Sequence, residues 1–86
     1  MSTFKLIVSS PDGDVFNDYA EALFVRGTEG ELAVMAGHIP FITAVKPSVC
    51  RILLEDGTER SADIDGGLLT VSNESTVLLS SSFNWK

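Results

Sequence analysis

Few residues in this chain have side chains that could cleave, transfer or coordinate anything, and they lie far apart. There is one histidine, His38, and one cysteine, Cys50. A zinc centre needs three or four converging nitrogen, sulfur or carboxylate ligands, and this pair alone does not furnish them. Asp12-Gly13-Asp14 and Asp63-Ile64-Asp65-Gly66 hint at a calcium loop. They are too sparse for the shell of oxygens that calcium requires, so they read as solvated turns and no metal is expected. His38 could act as a base toward one of many serines. No serine sits in a Gly-x-Ser-x-Gly elbow, however, and a histidine in Gly37-His38-Ile39-Pro40 reads as a hydrogen-bonding turn residue. Gly27-Thr28-Glu29-Gly30-Glu31 contains glycines but lacks the Gly-Lys-Ser/Thr ending of a phosphate loop, and its two carboxylates would repel a phosphate. It reads as a tight turn or as an acidic contact loop, and composition does not separate the two. No catalytic residue and no cofactor is expected.

The elements that would position these residues have the periodicity of strands. Phe4 to Val8 is apolar and ends at the turn signal Ser9-Ser10-Pro11-Asp12-Gly13-Asp14. Val15-Phe16 resumes briefly, and Tyr19 to Arg26 reads as one half-exposed strand. Leu32 to Met35 and Ile39 to Val45 follow, with Pro40 near a strand start where a missing N–H does least harm. Val49 to Glu55 alternates, with Cys50, Ile52 and Leu54 on one face, so Cys50 reads as a small buried hydrophobe. Asp56-Gly57 is a hairpin signal in which both residues tolerate positive φ. Thr58 to Asp65 is a polar return strand near an edge, and Gly66-Gly67 breaks it. Leu68 to Ser72 and Thr76 to Ser80 form a last hairpin. Ser80-Ser81-Ser82 is the nearest approach to low complexity. Phe83 and Trp85 beyond it either fold back over the sheet edge or meet a partner.

Roughly nine short strands and no long stretch of 3.6-residue period predict an all-β fold, a sandwich or a barrel. With 86 residues and no linker, the chain reads as a single domain over 1–86. Its net charge is −6, and its six basic residues are spread along the whole length. That pattern argues against nucleic acid and against docking on an anionic membrane surface, both of which need clustered cations. No apolar run is long enough to span a bilayer.

One block is more specific. The gapless run from Gly27 to Pro47, with Gly27-Thr28-Glu29-Gly30 leading into Gly37-His38-Ile39-Pro40, resembles the N-terminal β-sandwich of the epsilon subunit of F-type ATP synthases, called delta in mitochondria. Ser10-Pro11-Asp12-Gly13-Asp14-Val15-Phe16 and Gly66-Gly67-Leu68-Leu69-Thr70-Val71 match other marks of the family, so the likeness runs from about residue 4 to 80. The resemblance implies two five-stranded sheets, a two-sheet antiparallel β-sandwich of about ten short strands. It implies a non-catalytic rotor subunit of the central stalk that couples proton-driven c-ring rotation to the gamma subunit for ATP synthesis. The expected place is the cytoplasmic face of a bacterial membrane, reached indirectly through the complex. By the same resemblance, Glu29, Gly30 and Glu31 match the segment that touches the c-ring loops, and Ser10, His38 and Thr43 match positions against gamma. Three residues depart from the family pattern: Arg26 and Ala36 stand where prolines are usual, and Ser48 where a glycine is. Many relatives continue into a C-terminal helical hairpin that can block ATP hydrolysis. No such helical domain is expected in residues 1–86, and with it no inhibition through a helical arm. On residue chemistry alone a second reading stays open, a free-standing β-sandwich adaptor or ligand-binding module.

Overall fold

A computed structural model describes residues 2–37 and 39–86. Ten strands succeed one another: β1 (Phe4–Ser10), β2 (Gly13–Ala20), β3 (Ala22–Gly27), β4 (Gly30–Met35), β5 (Phe41–Val45), β6 (Ser48–Leu53), β7 (Glu59–Ile64), β8 (Gly67–Val71), β9 (Thr76–Leu79) and β10 (Phe83–Trp85). Strands β4, β3, β6, β7 and β10 make one sheet, and β5, β8, β9, β1 and β2 make the other. The two are a single hydrogen-bonded network, because Gly27 at the end of β3 pairs with Val45 at the end of β5. At that corner the Lys46 N–H donates to the Arg26 carbonyl at 2.8 Å. The expected two-sheet sandwich therefore forms, with one departure from antiparallel pairing. Strand β1 runs parallel to β9, from Leu6 opposite Thr76 to Ser9 opposite Leu79. A parallel neighbour needs a long crossover, and here strands β2 to β8 supply it.

The core follows from alternation, since successive side chains of a strand point to opposite faces. Leu23 of β3 sits opposite Val34 of β4 and Ile52 of β6, and all three are fully buried. Leu6, Val8, Leu69 and Leu78 face them from the other sheet and join the same cluster. Cys50 lies among them, as expected from its register with Ile52. Burial pushes its thiol up to about 12, which keeps it protonated and inert.

Local structure differs from the sequence expectation at three places. Residues 19–26 are not one strand. The chain bends at Glu21 to leave one sheet for the other, and the Glu21 N–H donates to the Leu53 carbonyl at 2.8 Å. The loop expected over 27–31 narrows to Thr28-Glu29, because Gly27 and Gly30 pair with each other and Glu31 pairs with Arg26. Gly30, at φ +124°, takes the sharp reversal. Asp56-Gly57 is not a two-residue turn. Asp56 keeps a negative φ, only Gly57 goes positive, and the loop closes between Leu54 and Thr58. Of the two alternatives for the aromatic tail, the structure shows the first: Phe83–Trp85 forms a strand of its own along β7, with Phe83 opposite Ile64 and Trp85 opposite Ala62. The aromatic tail thus folds back over the edge.

Gly66-Gly67 is where backbone approaches backbone most closely. A Cβ on Gly66 would meet the Val45 carbonyl oxygen at 2.8 Å, and one on Gly67 would lie well inside contact distance of the Leu79 carbonyl oxygen. No side chain fits between β8 and its neighbours here, which explains the glycine pair.

Gly67→Ala is expected to destabilise the fold by at least about 2 kcal/mol, whereas Gly57→Ala, in open space but at positive φ, should cost about 1 kcal/mol; urea midpoints decide. Cys50 in the folded chain should resist a thiol reagent at neutral pH and react only on unfolding, as followed by absorbance of the released product.

Candidate functional site

Strand register sorts the turns into two groups. Residues Val45, Gly67 and Leu79 end or begin their strands side by side, with Ser9 next in line. The turns that leave this end are Ser10–Gly13, Thr28-Glu29, Lys46-Pro47, Asp65-Gly66 and 80–82. Two of the segments singled out by resemblance therefore share one end of the sandwich. Glu29 stands exposed at the tip of the β3–β4 hairpin. Ser10 caps the β1–β2 turn, accepting from the Asp12 N–H and donating to the Gly13 carbonyl, both at 3.3 Å.

The other assigned residues are placed differently. Glu31 is not at the tip. It projects from β4 onto the sheet surface, where its Oε1 lies 3.3 Å from the Arg51 guanidinium. Thr43 is half-buried and lines a groove with Gly27–Leu32, so it sits beside the hairpin and away from Ser10. His38 lies outside the described residues. Among the described residues no three His, Cys, Asp or Glu side chains converge as a metal site would require.

The outer surfaces of the two sheets differ in chemistry. The surface of β3, β4, β6 and β7 is charged. Arg51 stacks 4.6 Å from the Phe24 ring and reaches Glu31 and Glu59, and Lys86 lies 4.0 Å from Asp63. The surface of β5, β8, β9 and β1 is apolar. Ile42, Thr70, Val77 and Ile7 form one cross-strand row, and Ala44, Leu68, Leu79 and Ser9 form the next. Ile42 is 67% exposed, Leu79 47% and Leu68 43%. Three exposed large aliphatics on one small sheet face mark a surface suited to burial against something else. Sequence reading missed this face. Its signal was present: Leu68-Leu69 and Val77-Leu78-Leu79 are apolar on both alternating sides, the pattern of a strand covered twice.

A second missed feature is the clasp around Asp65. Its carboxylate accepts from the hydroxyls of Ser80 and Ser81 and from the Ser82 N–H, while the Ser80 hydroxyl also lies 2.7 Å from the Gly66 carbonyl. The serine run is therefore a fastening. It delivers β10 to the edge of β7, where Trp85 packs against Phe83 at 4.8 Å and Phe16 at 6.3 Å, with the Arg60 guanidinium 3.7 Å above its ring. Phe16 belongs to β2, the far edge of the other sheet. The contact closes the open side of the sandwich.

Comparison with known proteins agrees with this architecture. The family model described as ATP synthase, Delta/Epsilon chain, beta-sandwich domain matches residues 3–86. The sodium-ion-specific ATP synthase epsilon chain of Acetobacterium woodii is 34% identical over 83 residues, which cover 96% of this chain and 62% of that protein. The chain thus spans less than two thirds of that relative's length. A chain in a cryo-EM structure of the Euglena gracilis mitochondrial ATP synthase superposes with a TM-score of 0.92 at 21% identity, over 99% of this chain and 54% of that one. A chain in the Tetrahymena thermophila mitochondrial ATP synthase central stalk and c-ring superposes with a TM-score of 0.77 at 9% identity, over 95% and 66%.

The clasp generates a pH prediction. Hydrogen bonds, first from the Ser81 hydroxyl and then from Ser80 and the Ser82 N–H, hold the Asp65 carboxyl below its ordinary range. A depressed folded value stabilises above the unfolded carboxylate value near 4, and that contribution is lost as pH falls through the folded value. Between about pH 5 and about pH 3 the urea midpoint of the unaltered chain should fall further than that of Asp65→Asn.

Proposed function

This chain belongs to the ATP synthase delta/epsilon β-sandwich family, and from that membership we propose that it is a rotor piece of the central stalk in an F-type ATP synthase. In this reading it makes and breaks no bonds. It transmits c-ring rotation to the gamma subunit during ATP synthesis, held at the cytoplasmic face of a bacterial membrane through the complex. The observation that carries the reading is the unequal chemistry of the two outer faces. The apolar face around Ile42, Leu68 and Leu79 needs a partner that removes it from water, and its burial at about 25 cal/mol per Å² favours a lasting subunit contact. We assign this face to gamma.

The turns at the adjoining end supply the second contact. Glu29 and Gly30 present an exposed hairpin tip to the c-ring loops, with an acidic group suited to basic or amide partners. Glu31 contributes through β4, where it also orders Arg51. Ser10 lies on the rim between this end and the apolar face, and Thr43 in the groove beside the hairpin, so both border the proposed gamma surface. His38 is assigned to gamma on the family pattern alone. Stiffness suits the task, because a closely packed core moves as one body under torque.

Two substitutions separate the contacts. Leu68→Asp should weaken co-purification with gamma at least about tenfold while leaving the melting temperature within a few degrees, since the position is on an outer face. Glu29→Lys should leave gamma binding intact and lower ATP-driven ion pumping in the reassembled enzyme. Unchanged gamma binding in the first variant would remove the face assignment, and unchanged pumping in the second would remove the hairpin assignment.

A further inference from the structure

The sequence contains three Asp-Gly pairs: Asp12-Gly13, Asp56-Gly57 and Asp65-Gly66. Such a pair can rearrange without a catalyst, because glycine has no side chain to shield its backbone nitrogen from the preceding carboxyl. The other aspartates precede bulkier residues, in Asp14-Val15, Asp18-Tyr19 and Asp63-Ile64.

The fold treats the three pairs unequally. Asp56 Oδ1 accepts from the Thr58 N–H at 2.9 Å, and the Gly57 N–H donates to the Leu54 carbonyl at 3.0 Å, so both reacting groups are engaged. Asp65 is held by Ser80, Ser81 and Ser82, and Gly66 is wedged under the Val45 carbonyl. The Thr58 N–H above all at Asp56, and the Ser81 hydroxyl above all at Asp65, also hold these carboxyls below their ordinary range, in the ionised form that resists attack by nitrogen. The Asp12 carboxylate, by contrast, meets no donor among the described residues, and its own N–H donates to the Ser10 hydroxyl at 3.3 Å. Pro11, Asp12, Gly13 and Asp14 are all exposed, and a Cβ added at Gly13 would meet nothing within 4 Å. Gly13 faces Ser10 in the last rung of the β1–β2 ladder, beyond the bulge between Val8 and Ser9, where local opening costs least.

We propose that Asp12-Gly13 is the site at which this chain isomerises with age to isoaspartate. The Gly13 nitrogen attacks Cγ of the protonated Asp12 carboxyl. A C–N bond forms, a C–O bond breaks, and the hydroxyl leaves with the amide proton as water. The five-membered imide that results takes up water at either carbonyl. Addition at Cγ restores aspartate. Addition at the former main-chain carbonyl leaves the backbone running through Cβ and Cγ, with a free α-carboxylate. Only water is exchanged, and the net mass is unchanged. The product carries one more backbone carbon in the turn between Ser10 and Gly13, so the Ser10 hydroxyl, which bonds both the Asp12 N–H and the Gly13 carbonyl, loses that geometry. The proposal stands on this turn alone and is independent of the gamma and c-ring assignments.

The test is to incubate the full chain for weeks at neutral pH, digest it, and quantify isoaspartate at each Asp-Gly pair by electron-transfer fragmentation. In the folded chain at least about fivefold more is expected at Asp12 than at Asp56 or Asp65. In urea above the unfolding transition the three should agree within about twofold, because only their shared chemistry remains. Asp12→Glu, whose longer side chain would have to close a larger ring, should remove most of the methyl groups that the aged chain accepts from S-adenosylmethionine and an isoaspartyl methyltransferase. Its amide spectrum should show the fold unchanged. The proposal is overturned if Asp12 stays unmodified in the folded chain while the unfolded chain reacts, or if Asp56 or Asp65 matches it there. It is also overturned if the excess at Asp12 persists undiminished in urea, or if Asp12→Glu accepts as many methyl groups as the unaltered chain.

Discussion

At the corner where Gly27 meets Val45, two sheets become one molecule through a single pair of facing residues. Everything else in the architecture accommodates that corner. Gly66 must pass under the Val45 carbonyl, and Gly67 must pass beside Leu79, so neither tolerates a side chain. The Lys46 N–H donates to the Arg26 carbonyl, and after Pro47 the chain re-enters the charged sheet as β6. The corner also sets the common end from which the β1–β2 and β3–β4 turns emerge. A backbone-to-backbone approach of this kind cannot be relaxed by rotating a side chain, which is why its glycines are spelled out in the sequence.

The far side of the sandwich has no such corner. Its edges, β2 and β10, are joined by packing, with Phe16 against Trp85 and the serine clasp holding β10 in place. One side is thus fixed by backbone geometry and the other by aromatic contact and a carboxylate. An 86-residue chain has a modest core, so closing this second side matters to its stability. The same arrangement leaves two outer faces of contrasting chemistry, one laced with ion pairs and one aliphatic.

How far the sequence could be read follows from the range of the interactions. Alternation at Cys50, Ile52 and Leu54 placed β6 and its core face correctly, because that signal is local. The block from Gly27 to Pro47 pointed to the family, and its Gly27 and Pro47 stand at the corner itself, whereas Gly37 turns the chain at the other end of the sheets. The serine run at 80–82 looked featureless, because its partner, Asp65, is distant in sequence. Trp85 stood undecided for the same reason, since Phe16 and Arg60 meet it only in the folded chain. Glu31 looked like a loop residue until pairing with Arg26 put it in a strand. The apolar face went unseen because which of two apolar sides faces outward depends on register between strands, which no single strand records.

The central claim is that the aliphatic face of β5, β8, β9 and β1 is covered by gamma. Inert Cys50 makes a direct measurement available: alkylation of a single introduced thiol in the free chain and in the complex with gamma. Leu68→Cys should react quickly when the chain is free and at least about tenfold more slowly once gamma is bound, whereas Asp63→Cys on the opposite face should react at the same rate in both. Equal reactivity of Leu68→Cys with and without gamma would contradict the account.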